Sequence, residues 1–196
     1  LEKWRLKKEF VDTNGLKSNV LFSVRFRYFS YFGILKKIDN VNYAGIGSRT
    51  ITYEESKLIE KIANGLSDRN YLLFSGNANG SDITFQRGSK NNCVIMLPWE
   101  GFNKKSYDPS NSIDQIIFNP ETDIDAVESV NKYHPAPFAL SSVGRKFMAR
   151  NYFQIMGYGN YKPVSFVICC ADQDSSGNVK GGTGQACRIA TEFEIP

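Results

Sequence analysis

Residues 41–196 predict a doubly wound α/β domain, a mostly parallel sheet with helices on both faces. Three observations lead there. Short apolar runs alternate with helical patterns, glycine-rich turns stand at the ends of those runs, and 196 residues are enough for one such core but cramped for two.

The first run, Val41-Asn42-Tyr43-Ala44-Gly45-Ile46, reads as a buried strand that ends in Gly47-Ser48-Arg49. A helix over 52–69 follows, because Leu58, Ile59, Ile62, Ala63 and Leu66 recur at helical spacing and Thr52 with Glu55 forms a capping box. Tyr71-Leu72-Leu73-Phe74 is a second strand, stopped by Ser75-Gly76-Asn77-Ala78-Asn79-Gly80. Ser81 or Asp82 is then expected to cap a helix running towards Lys90. A third strand covers 93–97 and closes at Pro98. Residues 99–120 are dense in Gly, Asn, Asp, Pro and Ser and predict an irregular excursion. Helices are expected over 123–132 and 140–156, separated by His134-Pro135-Ala136-Pro137. A buried strand over 164–171, a polar turn over 172–180 and a last helix over 185–193 complete the pattern. The sequence ends at Pro196, where a further edge strand is expected.

Residues 1–40 form a separate unit in composition, a basic aromatic extension. They hold nine Lys/Arg against four Asp/Glu, whereas the remaining chain holds 15 against 16, so the net charge of +4 says nothing about the body. Phe22, Phe26, Tyr28, Phe29, Tyr31 and Phe32 interleave with Arg25 and Arg27, a mixture that suits single-stranded nucleic acid. Period-2 alternation over 20–28 equally suits a strand, and the segment also reads as a poorly ordered arm. No apolar run approaches the roughly 20 residues of a membrane helix, and no secretory leader is visible. Cys93, Cys169, Cys170 and Cys187 lack metal-ligand spacing, and His134 is the sole histidine, so neither a metal nor a cofactor is expected. Reduced thiols point to the cytoplasm.

Ligands of such sheets bind beyond the carboxyl ends of the strands, where the glycine clusters fall. Gly45, Gly47 and Ser48 let backbone approach a ligand, the next helix start offers N–H groups, and Arg49 suits a bidentate phosphate contact. Gly181, Gly182, Thr183, Gly184 and Gln185 repeat the design at a second junction, and two loops on neighbouring strands would grip one phosphate from two sides. A plain tight turn is the alternative at each. Neither loop has Gly-Lys-Ser/Thr or G-x-G-x-x-G spacing. Ser75, Gly76 and Asp82 form a third cluster near a sugar or base, with Asp82 alternatively a helix cap. Glu100 is the obvious carboxylate at the third strand's end and, with Asp82, the candidate catalytic group. Arg150-Asn151 reads as a surface pair, with an Asn151 amide pointing into the cleft as the alternative, and His134 reads as a loop residue.

Tyr43-Ala44-Gly45-Ile46-Gly47-Ser48-Arg49, Phe74-Ser75-Gly76-Asn77-Ala78-Asn79-Gly80-Ser81-Asp82 and Gly181-Gly182-Thr183-Gly184-Gln185-Ala186 together resemble the SLOG superfamily of Rossmann-like domains, which includes the DprA/Smf and LOG families. Leu97-Pro98-Trp99 and Arg150-Asn151 also look typical of the small DprA-like proteins of phages and bacteria. The DprA-like branch implies single-stranded DNA binding, the LOG branch cleavage of a nucleotide's N-glycosidic bond, and a third branch the sensing of nucleotide-derived signals. LOG members carry Pro-Gly-Gly-x-Gly-Thr-x-x-Glu; here Lys180, Gln185 and Arg188 stand where the proline, threonine and catalytic glutamate would be. The resemblance also implies dimerisation. The expectation is therefore a nucleotide-binding DprA-like protein with a composite phosphate site, with an N-glycosidic hydrolase or transferase, or a single-stranded DNA-binding module, as alternatives.

Overall fold

The computed structural model describes residues 41–104 and 113–196, together with the backbone of two strands before them. Those two strands, β1 (Arg5–Val11) and β2 (Lys17–Ser23), pair antiparallel as a hairpin. The interleaved aromatic and basic side chains from Phe22 to Phe32 lie outside the described residues.

In the body, β3 (Asn42–Gly47), β4 (Leu72–Ser75), β5 (Cys93–Leu97), β6 (Asp114–Ile117) and β7 (Phe166–Cys170) form one parallel sheet in the order β6-β5-β4-β3-β7. The first four strands step outward in one direction, and the chain then returns to lay β7 on the other side of β3. This reversal is the switch point at which a doubly wound sheet opens a crevice. Helices α1 (Tyr53–Ser67) and α2 (Ser81–Gly88) cover one face, where Ile59, Ala63 and Phe85 pack on Tyr43, Leu73 and Ile95. Helices α3 (Ile124–Tyr133), α4 (Ser142–Met156) and α5 (Gly181–Glu192) cover the other, packing Val130, Phe153, Ile155 and Ile189 on Phe74, Val94 and Met96. With both faces covered, β5 is buried at every position, which is why the strands read as continuous apolar runs. The fold is the expected Rossmann-like α/β sheet. No helix among the described residues is long and apolar enough to cross a membrane.

Local signals explain most boundaries. Thr52 Oγ1 accepts from the Glu55 N–H at 3.2 Å while Glu55 Oε2 accepts from the Thr52 N–H at 2.7 Å, so the capping box starts α1. Ser141 caps α4 by accepting from the Gly144 N–H at 3.0 Å, and His134 sits in the loop before it, its Nδ1 accepting from Ala136. Three expectations fail. Residues 99–120 contain β6, an edge strand too short and too polar on its outer side to show in the sequence. Helix α5 begins at Gly181 rather than Gln185, because the glycines form its first turn. Neither Ser81 nor Asp82 caps α2; Gly80, at φ +80°, holds the N-cap position without a side-chain bond.

The end of β3 is a tight point of the fold. A methyl group at Gly47 would overlap the Cys170 carbonyl and the Ser81 side chain, and the carbonyl cannot retreat without disturbing the β3–β7 pairing. Gly47→Ala is expected to lower unfolding free energy by about 1–3 kcal/mol in chemical denaturation, as overpacking of a closed core does.

Candidate functional site

A cavity of about 520 Å³ opens at the carboxyl ends of β3 and β7. Its making starts with the pairing of Gly47 and Cys170 across the two strands. The Ser48 N–H continues the ladder by donating to the Cys170 carbonyl at 2.8 Å. Ser81 Oγ, at the start of α2, lies 3.1 Å from the Ser48 carbonyl and 3.2 Å from that of Cys170, joining both strand ends to one helix. Thr183 Oγ1 donates to the Gly47 carbonyl at 3.0 Å and ties the first turn of α5 to the same place. Asn151 Nδ2, from α4, donates to the Gly182 carbonyl at 3.0 Å. The two glycine loops are thus bolted together around one cavity.

The chemical character of this cavity follows from what remains unpaired. Gly181, Gly182 and Thr183 occupy the first three positions of α5, where backbone N–H groups have no acceptor within the helix and the positive end of the dipole favours an anion. Arg49 and Lys180, both exposed, add cationic side chains to the lining, and the exposed Asp172 adds one carboxylate. Val143, Phe147 and Met148 of α4 give the cavity an apolar side. Phe147 is itself held by Trp99 and Phe102, with ring centroids 5.2 Å away in each case.

Beneath the cavity lies an ion pair. Arg150 and Asp82 are buried, with Arg150 Nη1 3.7 Å from Asp82 Oδ2. The same nitrogen donates to the Met96 carbonyl at the end of β5, and the Asp82 carboxylate accepts from the Ala78 N–H at 3.3 Å. A side chain at Gly76 would occupy the space of the guanidinium, so this glycine makes room for Arg150. Burial pushes the Asp82 carboxyl up to about 6 against the opposing pull of Arg150, and lowers the Arg150 guanidinium from its ordinary value.

The structure gathers some of the anticipated residues and disperses others. Gly47, Ser48, Arg49, Asp82, Gly181, Gly182 and Thr183 line the cavity. Gly45 does not; a methyl there would come within 2.6 Å of the Phe85 ring, so its smallness serves core packing. Gly184 likewise makes room for the Val179 carbonyl. Ser75 is an internal strut bonded to the Gly45 carbonyl at 3.2 Å, and Gln185 is buried with its Nε2 3.3 Å from the Met148 carbonyl. Helix α1 brings no amides to the site, since its capping box closes that end on itself. Glu100 is exposed and outside the cavity lining, whereas Asp82 lines the cavity with its carboxylate 3.7 Å from Arg150. Arg188 faces α3, donating from Nε to the Tyr133 carbonyl at 2.6 Å. Of the two readings of Arg150-Asn151, a surface pair or an Asn151 amide in the cleft, the structure has the second: both residues are buried and line the cavity, as does Gln154. The one available signal was the 150, 151, 154 spacing of polar groups on a single helix face.

The cysteines play no visible part in this chemistry. Burial pushes Cys170 up to about 12, and none of the four thiols is in a disulfide. No group able to hold a metal ion occurs among the described residues.

No protein-family model and no curated protein matches the chain. Among solved structures it is similar to DNA processing protein A from Helicobacter pylori, a structure concerned with that protein's single-stranded DNA binding mode. The identity is 17%, the TM-score 0.51, and the match covers 91% of this chain and 69% of that one. It is also similar to DNA processing protein A (DprA) from Streptococcus pneumoniae at 17% identity and a TM-score of 0.49, covering 79% of this chain and 48% of that one, so this chain spans about half the length of the Streptococcus protein. The fold is therefore DprA-like.

Asp82 supplies a pH test. Its folded value lies above the roughly 3.9 of an unfolded aspartate, so its contribution to stability is fully present below pH 4 and is lost as pH rises through about 6. Denaturation between pH 4.5 and 7.5 is expected to show stability from this group falling with pH by up to roughly 3 kcal/mol. Asp82→Asn is expected to lack that component; equal pH slopes for both chains would refute the assignment.

Proposed function

We propose that this chain is a DprA-like single-stranded DNA-binding protein, and that the cavity between β3 and β7 takes a backbone phosphate with part of its nucleotide. The observation that carries this reading is the convergence on one cavity of both strand-end loops, the α5 amides, Arg49 and Lys180. Phosphate contacts position a strand, and bases are then held by stacking on aromatic side chains. Such a platform stands beside the cavity. Phe138 is 94% exposed, three residues before Ser141, which lines the cavity at the start of α4. A phenylalanine so fully in water contributes nothing to the core, whereas a stacked base would shield it. The likeness to the Helicobacter protein, which binds single-stranded DNA, supports the same reading.

Charge sets the expected strength. The body carries no basic excess, so the cavity supplies about two phosphate contacts, and residues 1–40, as a basic aromatic extension, supply the rest. A second reading, binding of a free nucleotide, is favoured by the size of the cavity: 520 Å³ falls within the range of small-molecule sites. N-glycosidic cleavage is the least supported reading, because Glu100 lies outside the cavity and Asp82 is paired; incubation with nucleoside monophosphates is expected to release no free base.

Titration of a fluorescent oligothymidylate against salt tests the proposal. Arg49→Ala and Lys180→Ala are each expected to weaken binding and to flatten the plot of log K against log salt by about 0.7. Phe138→Ala is expected to cost about 1–3 kcal/mol of affinity with an unchanged slope. Arg25→Gln with Arg27→Gln is expected to flatten the slope further. Full competition by a mononucleotide, with no dependence on strand length, would favour the second reading.

A further inference from the structure

A second cavity, also about 520 Å³, lies where α3 begins and α4 ends, away from the anion site at the start of α4. Its lining has the opposite chemistry. Asp123, Asp125, Tyr152, Phe153, Tyr158 and Tyr161 contribute to it, and no lysine, arginine or histidine does. The Phe153 and Tyr158 rings meet edge to face at 4.8 Å and 71°, and Tyr152 meets Phe153 at 6.3 Å and 66°. Rings arranged at right angles form a corner and leave faces unstacked, and an aromatic face is the negative part of the ring.

The two carboxylates differ in what they already do. Asp123 is buried; its Oδ2 accepts from the Asn119 N–H at 2.7 Å and it answers the positive end of α3. Asp125, in the first turn of α3, is exposed and carries no ion pair among the described residues. The field of these groups reaches the rings: Asp123 raises the Tyr158 phenol, and Asp125 raises that of Tyr152 after burial. The cavity thus combines an aromatic corner with Asp125, which makes no ion pair among the described residues; the one cation whose charge reaches the Tyr152 ring, Lys132, stands outside the lining.

We infer that this second cavity binds an arginine side chain presented by a partner protein. A guanidinium is the cation that fits such walls, since it is flat enough to stack on a ring, weakly hydrated, and able to give two parallel hydrogen bonds to Asp125. The site is separate from the phosphate cavity and does not rest on the DNA-binding reading. A partner held here and a strand held there would occupy opposite ends of α4.

Amide NMR of the full chain, titrated with an acetylated Gly-Arg-Gly amide, tests the inference. Saturable shifts are expected at Asp125, Tyr152 and Tyr158. The citrulline peptide, alike in shape but neutral, is expected to bind at least about fivefold more weakly. Asp125→Asn, an exposed change that leaves the fold alone, is expected to weaken the arginine peptide about two- to fivefold, and Tyr152→Ala at least as much. Arg49→Ala is expected to leave it unchanged. Equal binding of the citrulline peptide, absence of shifts at these residues, or shifts produced there by inorganic phosphate and not by arginine would each overturn it.

Discussion

The molecule turns on the approach of two strand ends. Gly47 and Cys170 are neighbours across parallel strands, and the carbonyls and amides just beyond them would ordinarily be left for water. Here Ser48 continues the ladder to Cys170, Ser81 bonds the Ser48 and Cys170 carbonyls, and Thr183 bonds that of Gly47. Buried backbone groups demand partners, and satisfying these brings the starts of α2 and α5 to one point. The cavity is the space left over when those helices meet the sheet there. A larger residue at position 47 would part the strands, and the first-turn amides of α5 would lose their fixed distance from Ser48 and Arg49.

Charge is placed against this frame in two layers. Cations that a ligand can meet stand at the rim, as Arg49 and Lys180, where water keeps their desolvation cost small. The buried cation, Arg150, is spent on holding α4 to Asp82 and to the end of β5. Removing either member of such a pair leaves an uncompensated charge, so the pair specifies geometry more than it adds stability. Gly76 belongs to this layer: it looked like part of a ligand loop and is instead the vacancy into which the guanidinium fits.

Much of this was legible in the sequence, and the failures have physical causes. Strands β3, β4, β5 and β7 are visible because burial on both faces makes them predominantly apolar, and α1 because its cap and periodicity agree. Strand β6 was not, since an edge strand with one outward side resembles a loop. The Gly47 and Gly182 loops are recognisable in the sequence as neighbours around one cavity, whereas Gly45, Gly184 and Ser75 stand outside its lining. A glycine at a strand end is required equally by a ligand and by a neighbouring ring or carbonyl, and only coordinates separate the two. Arg150 is the reverse case: a cation on a helix reads as solvated unless a gap such as Gly76, distant in sequence, is known to receive it.

The lodging of Arg150 in the gap at Gly76 also bears on time scales. A helix pinned to the end of β5 and to α2 by a buried side chain resists the sliding or tilting of a lid, because movement would drag an ionised group through a packed interior. The α4 wall of the cavity is therefore set by the chain's own contacts. For a ligand of the kind proposed, encounter would be governed by diffusion and by the rim charges, with no opening step to wait for. Little ordering entropy remains to be lost at that wall once a ligand is seated, so the lifetime of a complex is set by how quickly its own contacts break.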